Sequence, residues 1–234
     1  NFLLERTRLF GAGGDGDIVL LSNSASVATG SGAEGSGISE NTSEIFNEQG
    51  TRVCTRTGSV WSLEGDLYAN NLTLDDATGT DITLITSGSR IFVKNELSIH
   101  GGCVIHNNGQ DGDDGNNSAN SDNSVGNTPT QGGKGGFGRA LAGGTDGANG
   151  SRGGNPDTSA DGGTFYGGNG GGGGGSGGIV FISARFIVNS GSITANGGDG
   201  GNGGNGTGNV ATVASASADD GGDGAVGSVI NIKV

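Results

Sequence analysis

The chain has 234 residues, of which 55 are glycine and only 30% are hydrophobic, and 11 Lys and Arg against 24 Asp and Glu leave a formal charge of −13. Nucleic-acid binding rests on neutralising phosphates, so an acidic chain with scattered basic residues excludes that partner, and no run nears the ~20 apolar residues of a membrane-spanning helix. The apolar content is low for a conventional globular core, whereas an elongated stack needs only a few core residues per layer.

Residues 1–10, NFLLERTRLF, carry Phe2, Leu3, Leu4, Leu9 and Phe10 ahead of a glycine-rich turn. They form a candidate assembly segment, a strand that either caps its own chain or pairs with a neighbour's open edge. Residues 15–66 are rich in Ser, Thr and Gly, with short apolar pieces such as Ile18 to Leu21. Only Glu40 to Gln49 could form a turn or two of helix. No methionine occurs, which points to a processed, exported chain. Cys54 and Cys103 allow one disulfide in an oxidising compartment, and equally allow two buried thiols.

Residues 67–106 read as strands. Ile91, Val93, Leu97, Ile99, Cys103 and Ile105 share one parity, and Lys94, Glu96, Ser98, His100 and His106 share the other. A period of two places one set inward and the other outward. Short strands punctuated by Asn70, Gly79, Gly88 and Gly101 suit a β-solenoid with rungs of roughly 15 to 20 residues, or a β-sandwich.

Glycine dominates residues 107–178. Gly132, Gly135, Gly138, Gly144, Gly147, Gly150 and Gly153 keep a period of three, resumed at Gly162, Gly168, Gly171, Gly174 and Gly177. Strands return at 179–195, triplets follow at Gly197, Gly200, Gly203 and Gly206, and Val229 to Val234 closes as a strand. A polyproline II helix turns once every three residues, so this period gives each such helix a bare edge on which another backbone can lie. Two prolines are too few for collagen. The expected fold is therefore all-β with polyglycine II: a β-solenoid-like or β-sandwich scaffold (residues 1–106) and a glycine-rich region with interleaved strands (107–234), with almost no α-helix.

Chemical motifs carry little weight. His100-x-x-Cys103-x-x-His106 has metal-like spacing, but on a strand Cys103 faces away from both histidines, and zinc ligands must converge. Gly174 to Gly178 matches G-x-S-x-G around Ser176, yet no histidine lies beyond His106 to serve it. Gly197 to Asn202 nearly matches a calcium-binding repeat, with Asn202 in place of the aspartate and no nine-residue repetition. Asp111, Asp113 and Asp114 read as a solvated acidic turn. Asn41, Asn71, Asn116, Asn149 and Asn205 head glycosylation sequons at a frequency this composition explains. No set of acid, base and nucleophile can be assembled, so the chain reads as non-enzymatic, with no cofactor and no metal.

The strings GDGDIVLLS, DLYANNLTL, GSRIFVKNELSIHG and HNNGQDGDDG resemble the strand region of glycine-rich phage tail-fibre and bacterial surface proteins. The string GGNGGGGGGSGGIVFISARFIVNSGSITANGGDGGNGGNG is similar to their glycine-helix core. The resemblance covers most of residues 11–208. In the adhesins at the fibre tips of T-even-like phages, it implies packed polyglycine II helices whose distal loops touch a bacterial receptor. The corresponding loops here are Arg139 to Ala142 (with Leu141), Asn155 to Ala160, Thr164 to Tyr166 (with Phe165), and Thr207 to Asp220. The β-rich leading segment and the apolar residues 1–10 depart from that pattern. The first functional expectation is thus an extracellular, cell-surface or virion fibre subunit that assembles with copies of itself. The alternative is an adhesin that binds a bacterial surface receptor or glycan through these loops.

Overall fold

The computed structural model describes residues 14–22, 25–28, 43–47, 51–76, 79–115, 144–148, 157–158, 164–166, 171–204, 207–208 and 228–232. Among these there is no helix. The strands are β1 (Asp17–Leu20), β2 (Ala25–Ala28), β3 (Glu44–Phe46), β4 (Arg52–Thr57), β5 (Val60–Leu63), β6 (Leu67–Ala69), β7 (Asn71–Leu74) and β8 (Thr83–Ile85). They continue with β9 (Arg90–Ile99), β10 (Val104–His106), β11 (Asp157–Thr158), β12 (Thr164–Tyr166), β13 (Ile179–Asn189), β14 (Ser192–Thr194), β15 (Thr207–Gly208) and β16 (Ser228–Ile232). Glu44–Phe46, inside the segment where a turn of helix was expected, is a strand paired antiparallel with β4. That pairing buries Ile45, and burial on a sheet overrides weak helix propensity.

Three open sheets form. The first runs β16-β13-β9-β7-β1-β2, with β6 also on β9. The second runs β14-β10-β8-β5-β4-β3, and the third β11-β12-β15. Most pairings in the first two are parallel and in register. Ile18, Leu72, Leu97 and Ile187 are successive Cα partners, as are Leu67, Ile91 and Ile182. Trp61, Leu84, Ile105 and Ile193 do the same in the second sheet. Like side chains therefore stack at the strand spacing of about 4.8 Å.

The inward parity of β9 holds for Ile91, Val93, Leu97 and Ile99, but the expected run of alternation stops at the turn of Gly101 and Gly102; Cys103 and Ile105 are buried from the second sheet, in one core shared by both sheets. Each Leu or Ile contributes about 1.5–3 kcal/mol by burial. Trp61 is fully buried, and its Nε1 donates to the Leu21 carbonyl at 3.0 Å. The two compositional regions share both sheets, since β13 lies on β9 and β14 on β10.

A polar ladder marks the bend between β6 and β7. Asn70 Nδ2 donates to Asp17 Oδ1 at 2.6 Å, and Asn95 Nδ2 donates to Asn70 Oδ1 at 2.9 Å. The backbones are tied in parallel, Asn70 N to Gly16 O and Asn95 N to Asn70 O. At the corresponding place β13 shifts register between Ala184 and Phe186. Asparagine suits such a bend because its short amide satisfies backbone and neighbouring side chains together.

Candidate functional site

Four glycine-rich tracts, 107–115, 144–148, 171–178 and 195–204, extend from or pack beside the sheets. The amides of Gly172, Gly175 and Gly178 donate to the carbonyls of Asp113, Gln110 and Asn107. Gly173 and Ser176 donate instead to Ala148 and Thr145. Gly198 and Gly201 donate to Gly175 and Gly172, and Gly109, Gly112 and Gly115 donate to Asn196, Asp199 and Asn202. Tracts 107–115, 171–178 and 195–204 are thus each bonded to the other two. Along 171–178 the partners repeat every three residues: Gly172, Gly175 and Gly178 donate to tract 107–115, and Gly173 and Ser176 donate to tract 144–148.

Only glycine fits at the contacts. A Cβ on Gly171, Gly174 or Gly177 would overlap the carbonyl of Gly201, Gly198 or Ala195. A Cβ on Gly144 or Gly147 would overlap Ser176 or Gly173, and one on Gly109 or Gly112 would overlap Gly175 or Gly172. In tract 195–204 the residues pressed on 107–115 are Gly198 and Gly201, one position on from the counted register of Gly197, Gly200 and Gly203. The Gly-Gly doublets place bare backbone at both positions, so counting alone does not choose between them.

A side-chain ladder joins the two parallel tracts. The Oδ1 atoms of Asn108, Asp111 and Asp114 accept from the amides of Asn196, Asp199 and Asn202 at 2.8, 2.8 and 2.7 Å. Two members of the expected acidic turn, Asp111 and Asp114, are therefore backbone acceptors in a period-three set with Asn108, and the Asp113 side chain is not part of that set. Its signal was the repeat of Asn or Asp every third residue in both tracts. Ser176 also belongs to tract packing, with its Oγ 3.1 Å from Thr145 Oγ1 and no nucleophile elbow around it. The Asn71 amide is held by Asp17 Oδ1 and the Glu96 N–H.

Of the predicted site residues, Phe2, Leu3, Leu4, Leu9, Phe10, Arg139 and Leu141 lie outside the described residues. Phe165 and Tyr166 lie in β12, where Phe165 pairs with Asp157 of β11 and with Gly208 of β15, and Tyr166 with Thr207. Three of the four loops singled out above thus supply the strands of one small sheet.

The disulfide does not form. Cys54 and Cys103 are both free and buried. Cys54 lies on β4 and Cys103 immediately before β10, with β5 and β8 between those strands. Three strand spacings are about 14 Å, twice the ~7 Å limit for bridging Cα atoms. Burial, with a contribution from Glu64, pushes the Cys54 thiol up to about 12. Burial also raises the Cys103 thiol, with Asp76, Asp81 and Asp75 adding to it. Thiolate is the reactive form. Native protein should therefore react with a thiol reagent far more slowly than protein in denaturant, and rapid labelling at two equivalents would contradict this burial.

His106 is pushed below its ordinary value by burial, and its Nδ1 accepts from Asn108 N at 3.2 Å as a neutral ring can. His100 follows the end of β9 and is separated from Cys103 by the turn at Gly101 and Gly102, and it pairs with Asp75. A surface groove bordered by Asn47, Thr51, Arg52, Glu64, Asp66 and Tyr68 has its charges matched: Arg52 reaches Glu44 and Glu64 at 2.8 Å each, and Arg90 Nε reaches Asp66 at 2.9 Å.

Comparison with known proteins adds no relative: no family model matches the chain, and neither do the curated proteins or the solved structures searched.

Proposed function

We propose that this chain is a non-enzymatic structural subunit of an extracellular, cell-surface or virion fibre that assembles through contacts between copies. In this reading the parallel rungs are a β-solenoid, and the glycine tracts are polyglycine II helices packed on it. The three-residue alternation of hydrogen-bonded neighbours along 171–178 supports the second element, because polyproline II geometry has that period. The in-register stacking of β7, β9 and β13 supports the first.

The observation that carries assembly is the end of the first sheet. β16 covers only Ile179 to Ser183 of β13, so the half from Phe186 to Asn189 has no strand on that side among the described residues. That half exposes Phe186 at 47% and Val188 at 50%. Open edges bearing apolar side chains invite strand addition. The apolar segment Phe2 to Phe10 of a neighbouring copy is the proposed occupant, and such head-to-tail contacts propagate into a fibre. Electron microscopy of the purified chain should show filaments, and deletion of residues 1–10 should leave a folded particle that no longer polymerises. Filaments from the truncated chain, or a monomeric intact chain at high concentration, would overturn this reading.

A receptor-binding tip is the second reading, favoured by one observation: the loop residues 157–158, 164–166 and 207–208 converge in a single sheet. It calls for compact particles that bind bacterial cells, with binding lost on replacement of the 164–166 segment.

A further inference from the structure

Strands β7 and β9 are in register, with Leu72, Thr73 and Leu74 opposite Leu97, Ser98 and Ile99. The next residues must then emerge side by side, and the His100 N–H donates to the Leu74 carbonyl at 3.1 Å. The sequence shows the same repeat, since Asn70-Asn71-Leu72-Thr73-Leu74-Asp75 aligns with Asn95-Glu96-Leu97-Ser98-Ile99-His100. Stacking therefore sets an imidazole against Asp75, and Asp76 follows on the same turn. His100 Nδ1 lies 3.0 Å from Asp75 Oδ1 and 3.7 Å from Asp76 Oδ1. The three donor atoms all lie within 4.8 Å of one another.

We propose that Asp75, Asp76 and His100 form a binding site for a divalent transition-metal ion of the zinc type. Donors held ~2.1 Å from one such ion stand about 3.0–3.4 Å apart, by the bond lengths of zinc sites. The two separations from the imidazole nitrogen bracket that range. Rotation of Asp76, whose side chain is 42% exposed, brings its carboxylate from 3.7 Å into that range. A simple ion pair would use one carboxylate, whereas here a single ring nitrogen faces two. Imidazole nitrogen beside carboxylates selects zinc, cobalt or nickel over calcium, which takes oxygen ligands. The neutral ring coordinates through Nδ1, and water completes the shell on the exposed side. The bound ion ties the turn after β7 to the turn after β9, two adjacent layers of the stack. The site is independent of whether the chain assembles or binds a receptor.

The test uses the full chain, freed of metal by a chelator, and titrated calorimetrically with zinc chloride. Cobalt(II) absorption is read in parallel for a nitrogen–oxygen shell. Saturable one-to-one binding is expected, with a rise in melting temperature as zinc is added. Asp76→Asn and His100→Gln should each weaken it at least ~10-fold, the smallest effect usual for a disturbed metal site. His106→Ala, which removes the other histidine, should leave the affinity unchanged. The metal-free melting temperatures of both ligand variants establish that they fold, since both side chains are partly exposed. Absence of saturable zinc binding by the native chain would overturn the proposal. So would equal affinity in both ligand variants, or loss of binding in His106→Ala.

Discussion

Gly174→Val should lower the melting temperature by about 6–12 °C. The Cβ it adds would lie on the Gly198 carbonyl, backbone against backbone, where no side-chain rotation relieves the overlap. Overpacking of this kind costs about 1–3 kcal/mol. Separating the tracts also strains the bonds from Gly198 N to Gly175 O and from Gly175 N to Gln110 O, each 2.8 Å, and each contributes about 1 kcal/mol. Taking the middle of the overpacking range and about half of each strained bond, the total is about 3 kcal/mol, which for a chain of this size corresponds to the stated shift at about 2–4 °C per kcal/mol. Gly101→Ala is the control. A Cβ there meets nothing within 4 Å, so its melting temperature should hold or rise slightly as the unfolded chain loses freedom. If Gly174→Val and Gly101→Ala melt alike, the tracts are not packed as described.

Trp61→Ala should cost about 3–5 kcal/mol, the range for deleting a large buried aromatic. Trp61 is the one tryptophan, is fully buried, and stacks in the column of Leu84, Ile105 and Ile193. Its loss opens a cavity between the two sheets and leaves the Leu21 carbonyl without its indole donor. Urea unfolding followed by circular dichroism measures the effect. Trp61→Phe keeps most of the volume and should cost less than half as much. A loss below ~1 kcal/mol for Trp61→Ala would place this residue outside the core, against the large-to-small pattern of buried sites.

The parity of Ile91, Val93, Leu97 and Ile99 was legible because alternation is a property of the strand itself, whereas Cys103 and Ile105 lie beyond the turn at Gly101 and Gly102 and are turned inward by the second sheet. The need for glycine at Gly144, Gly147, Gly171, Gly174 and Gly177 was equally legible, since each bears a neighbouring carbonyl where a Cβ would be. In tract 195–204 doublets blur the period, and only the neighbouring tract selects Gly198 and Gly201. Glu44–Phe46 escaped the strand reading because three residues carry almost no periodicity, and their pairing with β4 supplies the reason for their conformation.

Local repetition thus accounts for the all-β character, the inward set of side chains and the places where a backbone must be bare, because each follows from geometry within a few residues. Pairing across 25 or more positions accounts for the rest. Which layer lies on which separates Cys54 from Cys103 by two strands and removes the disulfide. The same stacking brings Asp75 and Asp76 to His100, and lays Asn108, Asp111 and Asp114 along Asn196, Asp199 and Asn202. These contacts depend on the register between distant segments. A one-residue slip would turn every side chain of a strand to its other face, so burial of the core sets that register only once the sheets have assembled.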